Sequence, residues 1–229
     1  MIKNGFVIAI DGPVASGKGT VASALARDLG GFHLYSGGVY RCIALLCFIK
    51  KIDIADENAV ESILGDLDIR LEKELVFLNG ENVTERIKNA DTANGASVIG
   101  VYKKVREAGV GIQKRIADRF VKKGMIVVAE GRDMGTVVFP DAPLKIFLTA
   151  RVEIRAKRRM EQYLQSGKDL DVELEELKKR DTRDTTRSES PLPVDPARLG
   201  YSILDNSDMN VEETVEAIRN ELKKKDLVK

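Results

Sequence analysis

Four short segments of the chain have the apolar character of buried β-strands, namely residues 6–10, 125–129, 144–148 and 201–204. The first is an unbroken apolar run that ends at Asp11-Gly12-Pro13. Continuous apolar strands are typical of parallel sheets, because helices cover both faces of such a sheet. We therefore predict an α/β fold with a parallel central sheet flanked by helices.

Helical periodicity appears between these segments. Apolar residues recur at helical spacing from Val21 to Leu29, and again in residues 39–52, 104–123 and 211–222. Asn210 stands directly before the last of these segments, where a side chain that caps the amino end of a helix is expected. The pattern thus predicts strands and helices in alternation.

Residues 69–84 have a different pattern, with short alternating apolar and polar runs around Asn79-Gly80. An Asn-Gly pair of this kind favours a tight turn between two antiparallel strands. We predict a small antiparallel β insertion here.

The composition restricts the possible partners and the location of the protein. The 37 Lys and Arg residues nearly balance 36 Asp and Glu residues, so the formal net charge is +1. A chain without an overall positive field is not expected to bind nucleic acid or an anionic membrane through its net charge. The first apolar run is much shorter than a bilayer span and lacks a signal-peptide layout, so we expect a cytoplasmic protein.

The few cysteine and histidine residues argue against redox or zinc chemistry. Cys42 and Cys47 lie five residues apart in an apolar stretch, a spacing that suits neither a redox pair nor half of a zinc site, and we expect two buried free thiols. His33 is the single histidine, so a histidine base or metal cluster is not favoured.

A glycine-rich segment after the first strand matches the phosphate-binding loop G-x-x-x-x-G-K. It lies between a buried strand and an amphipathic helix, which is the context that the motif requires. Backbone N–H groups of such a loop surround phosphate oxygens, and Lys18 can reach the outer phosphates of a nucleotide. The predicted nucleotide-binding residues are Gly12, Pro13, Val14, Ala15, Ser16, Gly17, Lys18, Gly19 and Thr20.

Position 19 departs from the strict motif, which has Ser or Thr there to contact Mg²⁺. The chain has Gly19, so the loop alone does not identify the metal ligands, which stay open. Thr20 is still able to contact phosphate.

A phosphate-binding loop by itself does not separate an enzyme from a nucleotide-controlled switch. A GTP-dependent switch would normally carry an N-K-x-D element, and the chain has none. Phosphoryl transfer needs chiefly positioning and positive charge, which arginine-rich segments can supply without a histidine or cysteine. The sequence therefore favours a kinase.

Four segments together resemble the bacterial cytidylate kinase family, and they are spread over nearly the whole chain. They are residues 12–20, Ser36-Gly-Gly-Val-Tyr-Arg41, Glu130-Gly-Arg-Asp-Met-Gly-Thr-Val-Val-Phe-Pro140 and Arg180-Asp-Thr-Arg-Asp-Thr-Thr-Arg187. The resemblance implies transfer of the γ-phosphate of ATP to CMP or dCMP with Mg²⁺. It also implies a P-loop kinase fold in one domain, with a core (about 1–35, 99–150 and 188–229), a substrate-binding insertion (36–98) and a mobile lid (151–187). We expect a monomer.

The resemblance also implies a set of substrate-binding residues. They would be Ser36, Tyr40, Arg41, Ser97, Arg106, Arg132, Asp133, Arg180, Asp184 and Arg187. The cytosine edge carries an amino donor beside two acceptors, which suits one carboxylate, Asp133, with donors from Arg106, Arg132 and Ser97. Asp184 would accept hydrogen bonds from the ribose, and arginines would bind the phosphate.

Three of these assignments have structural alternatives. Arg132 and Asp133 could form an ion pair at a strand end, and Ser97 could be an ordinary small residue of a helix. The alternating charges of residues 180–187 could belong to a solvated helix face.

Arginines also recur through the predicted lid. Arg151, Arg155 and Arg159 are spaced i, i+4 and i+8, with Arg158 adjacent, so a helix would carry a basic stripe. The resemblance places such a stripe over ATP, and we predict Arg155 and Arg159 to be catalytic together with Lys18 and Arg132. The alternative is a solvated surface helix.

Two alternative functions stay open. The chain could be another small-molecule P-loop kinase that acts on UMP, AMP or a non-nucleotide alcohol, or a non-catalytic nucleotide-binding regulator. Val14 and Tyr35 depart from the residues usual in the family, which concerns fine positioning rather than the reaction.

Overall fold

Strand β1, Val7–Asp11, lies at the centre of a five-stranded sheet in the computed structural model, which describes residues 5–72, 75–162 and 170–228. The strand order is β2-β6-β1-β7-β8, and all four pairs of neighbours are parallel. The other strands are β2 Phe32–Tyr35, β6 Val127–Gly131, β7 Leu144–Thr149 and β8 Ser202–Asp205. The predicted parallel sheet is confirmed.

Helices cover both faces of this sheet. The helices are α1 Lys18–Asp28, α2 Ser36–Ile49, α3 Glu57–Ser62, α4 Ala90–Ile99, α5 Lys103–Val121, α6 Val152–Gln162, α7 Leu170–Thr186 and α8 Val211–Lys224. Ile8 and Ile10 of β1 pack toward α1 and α8, whereas Ala9 packs toward α2 and α5. Alternate residues of one strand thus enter two separate cores.

The predicted cap of α8 is confirmed. The Asn210 side chain accepts a hydrogen bond from the Glu213 N–H at 2.8 Å, and the Glu213 carboxylate accepts one from the Asn210 N–H at 2.8 Å. This reciprocal pair satisfies two backbone donors at the amino end of the helix.

The small antiparallel sheet is also confirmed. It consists of β3 Ile69–Glu72, β4 Leu75–Leu78 and β5 Glu81–Asn82. Asn79 and Gly80 join β4 to β5 with φ values of 50° and 85°, and two positive φ values in a row are those of the tight hairpin turn that an Asn-Gly pair favours. The inward side chains of β3 and β4 join the core beneath α2 and α5.

Two elements differ from the sequence-based expectation. Strand β2 was not predicted, because a four-residue strand that includes His33 and Tyr35 lacks a clear apolar run. Helix α2 begins at Ser36 rather than at Val39, since it follows β2 directly. Both differences bring Ser36 to the carboxyl end of the sheet.

Both cysteines are buried free thiols, as predicted, and burial raises the pKa of Cys42 to about 12. Among the residues that the structure describes, no helix has both the length and the apolar character needed to cross a membrane.

Candidate active site

A cavity of about 820 Å³ opens at the carboxyl ends of β1 and β6. The phosphate-binding loop lines one side, and α2, α4 and α7 line the other. Ligands of open parallel sheets bind at this edge, where loops and helix amino ends meet.

The phosphate-binding loop turns sharply from β1 into α1. Gly17 has φ 87°, in the left-handed region that glycine adopts without strain, and α1 begins at the next residue, Lys18. The first turn of α1 therefore presents its free N–H groups toward the cavity. The cavity lining includes Val14, Ala15, Gly17, Lys18, Gly19 and Thr20, but not Gly12, Pro13 or Ser16.

Lys18 is folded back onto its own loop. Its Nζ donates a hydrogen bond to the Pro13 carbonyl at 2.6 Å and lies 3.3 Å from Ser16 Oγ. Burial lowers the pKa of Lys18, and the nearby positive charge of Arg132 lowers it further. A phosphate anion in the cavity would oppose both effects.

Helices α6 and α7 contact the phosphate-binding loop. Arg155, on α6, is 7% exposed and donates hydrogen bonds to the Ala150 and Val14 carbonyls, each at 3.1 Å, and it forms an ion pair with Asp181 at 2.7 Å between Nη2 and Oδ2. Val14 packs against Ala156 of α6 and Leu177 of α7. The phosphate-binding loop and both helices thus share buried contacts.

The four arginines of the predicted basic stripe face different partners. Arg151 pairs with Asp208 at the surface, and Arg158 donates to the Asn206 carbonyl at 2.9 Å. Arg159 pairs with Glu173 and lines the cavity, whereas Arg155 does not line it. The helical spacing predicted a shared stripe, but the side chains are distributed between structural contacts and the cavity.

A buried ion pair forms the far wall of the cavity. Arg106 of α5 binds Asp133, and these residues are 6% and 2% exposed. The Arg106 guanidinium carbon lies 4.8 Å from the centre of the Tyr40 ring, a cation–π arrangement. Burial raises the pKa of Tyr40 to about 12, so the ring stays neutral.

A second ion pair joins β6 to α7. Arg132 Nε lies 2.7 Å from Asp184 Oδ2. Burial alone would raise the pKa of Asp184, yet Arg132 holds that pKa below its ordinary value. The alternative of an Arg132–Asp133 ion pair is therefore wrong, because each of these neighbours pairs with a different residue.

Guanidinium groups crowd around Arg180. Burial lowers the pKa of Arg180 to about 10, and the positive charges of Arg132, Arg159 and Arg41 contribute to this effect. Its Nε is buried without a hydrogen-bond partner among the described residues. Mutual repulsion that no nearby carboxylate fully relieves is typical of a site that receives an anion.

All ten predicted substrate-binding residues line this cavity. Several have protein partners that a ligand would have to replace. Arg41 donates to the Ile87 carbonyl at 2.8 Å, and Arg187 Nε donates to the Ser190 carbonyl at 2.7 Å. Ser97 Oγ accepts from Arg183 at 3.0 Å, and Arg183, which the sequence did not single out, also lines the cavity.

Glu130 is a second residue that sequence reasoning missed. It is the penultimate residue of β6, is 6% exposed and lines the cavity. Within the described part of the chain its carboxylate forms no hydrogen bond or ion pair, although its charge acts on Lys18 and Arg132. A carboxylate in the last positions of an apolar strand beside the phosphate-binding loop was the available signal.

Comparisons with known proteins agree with one another. A family model described as cytidylate kinase matches residues 8–224. A curated cytidylate kinase of Cupriavidus necator is 47% identical over 213 residues, which cover 91% of each chain, and one of Azotobacter vinelandii is 42% identical over 229 residues, or 96% of each chain. In fold, the chain is similar to an uncharacterized protein from Eubacterium ventriosum, with a TM-score of 0.53, 16% identity and coverage of 95% of this chain and 98% of the other.

Proposed function

The chain belongs to the cytidylate kinase family, and from that premise we propose that it transfers the γ-phosphate of ATP to CMP, and to dCMP, inside the cavity described above. One observation carries the proposal. A phosphate-binding loop with a buried lysine and a cluster of arginines beside a buried Arg–Asp pair face each other across one cavity of about 820 Å³.

The donor nucleotide would bind on the side of the phosphate-binding loop. Backbone N–H groups of the loop and of the first turn of α1 would bind its phosphate oxygens. Lys18 would leave the Pro13 carbonyl and Ser16 Oγ for the outer phosphates, a short movement because the loop already holds the side chain inward. The phosphate charge would then stabilise the ammonium form, which burial and Arg132 disfavour.

The acceptor base would bind near the Arg106–Asp133 pair. The Asp133 carboxylate would accept from the cytosine amino group, and Arg106 and Ser97 would donate to its ring nitrogen and carbonyl. Uracil would bring a carbonyl oxygen toward the carboxylate, and two acceptors facing each other cost about 1–3 kcal/mol. The Asp133 carboxylate, which Arg106 holds in place, would therefore disfavour uracil.

The acceptor ribose and phosphate would lie along α7. Asp184 would accept from ribose hydroxyl groups, while Arg41, Arg180 and Arg187 would bind the phosphate. An anion that enters here would offset the repulsion that Arg180 receives from Arg132, Arg159 and Arg41, which favours binding at this point. The phosphate oxygen that attacks is already anionic, so in-line transfer needs no side-chain base.

Glu130 is the residue that fits a bound magnesium ion. No group of three or more His, Cys, Asp or Glu side chains in the described residues is arranged to hold a metal. Magnesium bound with a nucleotide commonly uses one or two protein carboxylates and the phosphate oxygens, and Glu130 offers an unpaired carboxylate beside Lys18. The ion would supply neutralising charge on the transferred phosphoryl group.

Helices α6 and α7 would form the lid over the donor. The packing of Val14 against Ala156 and Leu177 supports this role, since the loop and the helices share an apolar contact. Arg159 lines the cavity and could reach the transferring group, whereas Arg155 is better placed to support the loop. Residues 163–169 of the predicted lid lie outside the described residues.

The test is a panel of acceptors with ATP and magnesium, read out as ADP formation. CMP and dCMP should give the highest kcat/KM, with UMP and AMP below them. A preference for UMP or AMP would identify another small-molecule kinase. ATP binding without acceptor-dependent ADP formation would contradict the proposal and indicate a nucleotide-binding regulator.

A further inference from the structure

Asp11 is a buried carboxylate that the proposed reaction does not use directly. It is the last residue of β1, is 0% exposed and does not line the cavity. Its Oδ1 accepts a hydrogen bond from the Met134 N–H at 2.8 Å. Its Oδ2 accepts from the Gly135 N–H at 2.8 Å and from the Tyr201 hydroxyl at 2.7 Å. Three donors converge on this one side chain.

These contacts connect the two halves of the cavity. On one side, Asp11 directly precedes Gly12, where the phosphate-binding loop begins. On the other, Met134 and Gly135 begin the π-helical turn Met134–Val138, which directly follows Arg132 and Asp133. The β1–β6 pairing ends at Asp11 and Gly131, so beyond that point this carboxylate links the donor loop to the segment that carries the acceptor residues.

The third donor reaches Asp11 because residue 135 is glycine. A Cβ atom at this position would lie 2.6 Å from the Tyr201 hydroxyl oxygen and 2.9 Å from the ring carbon that bears it. Both distances are too short for van der Waals contact. The ring of Tyr201 also packs edge-on against Phe147 of β7, with 6.2 Å between ring centres. Tyr201 is thus held in place on two sides.

Asp11 is charged at neutral pH although burial disfavours its charged form. Burial raises the pKa of Asp11 to about 6, against the effect of its three hydrogen bonds, and the charge of Asp133 adds to the rise. At neutral pH the carboxylate is ionised and can accept from all three donors. A protonated carboxyl would point its own O–H at one of these donors, and that hydrogen bond would be lost.

We propose that Asp11 is a positioning residue that continues the β1–β6 connection past the strand ends, and thereby fixes the spacing between the bound donor and acceptor phosphates. This inference rests on the proposed function, because the spacing matters only if both nucleotides bind in this cavity. Each nucleotide would keep its own contacts when Asp11 is altered, whereas the in-line approach of the two phosphates would be lost. A misplacement of about 1 Å can reduce the rate of a positioned reaction about a hundredfold.

The experiment compares Asp11→Asn with the unaltered protein. Asparagine keeps the shape, but its NH₂ group meets an N–H or O–H donor in place of an acceptor oxygen. We expect kcat with CMP to fall about tenfold to a hundredfold, while the Kd values of CMP and of a non-hydrolysable ATP analogue, measured separately, each change less than about threefold. Asp141→Asn is the matched control. Asp141 is an exposed carboxylate in the connection between β6 and β7, which also contains Met134 and Gly135.

The outcomes separate the possibilities. An unchanged kcat in folded Asp11→Asn overturns the inference, and so does a loss of turnover that follows a proportional loss of CMP binding. If Asp11→Asn does not fold, Tyr201→Phe decides, since it removes one of the three hydrogen bonds. That variant should lower kcat severalfold with both Kd values kept, and a kcat equal to that of the unaltered protein would exclude the role. Absence of CMP turnover in the unaltered protein would contradict the proposed function instead.

Discussion

The two halves of the cavity are constructed in different ways. We propose that one half binds the donor and the other half the acceptor. The donor half is lined by the phosphate-binding loop and the first turn of α1, where backbone geometry and a single lysine would supply most of the chemistry. The acceptor half brings side chains together from α2, α4, α5, β6 and α7, and it depends on ion pairs between residues far apart in the chain. Its two buried pairs join residues 27 and 52 positions apart.

This difference predicts how each half responds to change. A backbone cradle loses function when its one charged side chain is removed, but the loop itself can remain in place. A buried ion pair costs stability when one partner is removed, because the other charge is left without compensation. Turnover should therefore be the sensitive property of the donor half, and stability and base preference those of the acceptor half.

The largest effect is expected from Lys18→Ala. This change removes the ammonium that would stabilise negative charge on the transferring phosphoryl group. The loss of one such group lowers kcat by about 10²–10³. Steady-state ADP formation with CMP measures it. Arg27→Ala, an exposed change on the same helix, is the control. A variant that keeps more than about a tenth of the original kcat would contradict the assignment of Lys18.

The next effect concerns the pH dependence of the free energy of unfolding, to which Asp11 contributes at the junction of the two halves of the cavity. Burial raises the pKa of Asp11 from 3.8 to about 6. Its contribution to the free energy of unfolding is therefore greatest below pH 3.8 and is lost as pH rises through 6. Residue 11 does not titrate in Asp11→Asn. Relative to that variant, the free energy of unfolding of the unaltered protein should fall by up to about 3 kcal/mol between pH 4 and 7.

Urea unfolding of both proteins across this pH range measures that difference. Parallel pH dependences for the two proteins would show that the pKa of Asp11 is not raised in the folded state. The comparison does not depend on catalysis, so it examines the junction independently of the reaction.

A smaller effect is expected on base preference in Asp133→Asn. Replacing the carboxylate removes the acceptor–acceptor conflict with uracil, which is worth about 1–3 kcal/mol, so the CMP-to-UMP ratio of kcat/KM should fall about fivefold to 150-fold. The ratio is the proper readout, because a loss of folded protein cancels from it. Asp184→Asn breaks the other buried pair and should keep the ratio. An unchanged ratio in Asp133→Asn would contradict base reading by this residue.

Sequence patterns predicted the strand and the helix on either side of the phosphate-binding loop because this information is local. A strand, a glycine-rich loop, a lysine and a helix follow one another, and each has its own signal. The family resemblance supplied the acceptor residues but not their partners. Neither charge nor spacing shows that Arg132 pairs with Asp184 rather than with its neighbour Asp133.

The lid arginines show the same limit within one helix. Spacing of i and i+4 placed Arg155 and Arg159 on one side of a helix, and this spacing could not distinguish their surroundings. The Val14 and Ala150 carbonyls bind the first, while the second faces the cavity beside Glu173. The expected roles of these arginines, the monomeric state and the cytoplasmic location stay predictions.

The close approach of Gly135 to the Tyr201 hydroxyl restricts the order in which this protein can change during evolution. An alanine at position 135 fits only after position 201 has become smaller, because the added methyl group would overlap the phenol oxygen. That earlier replacement would remove a hydrogen bond from Asp11. Any lineage that changes the two positions one after the other must therefore pass through an intermediate in which Asp11 has lost a hydrogen bond.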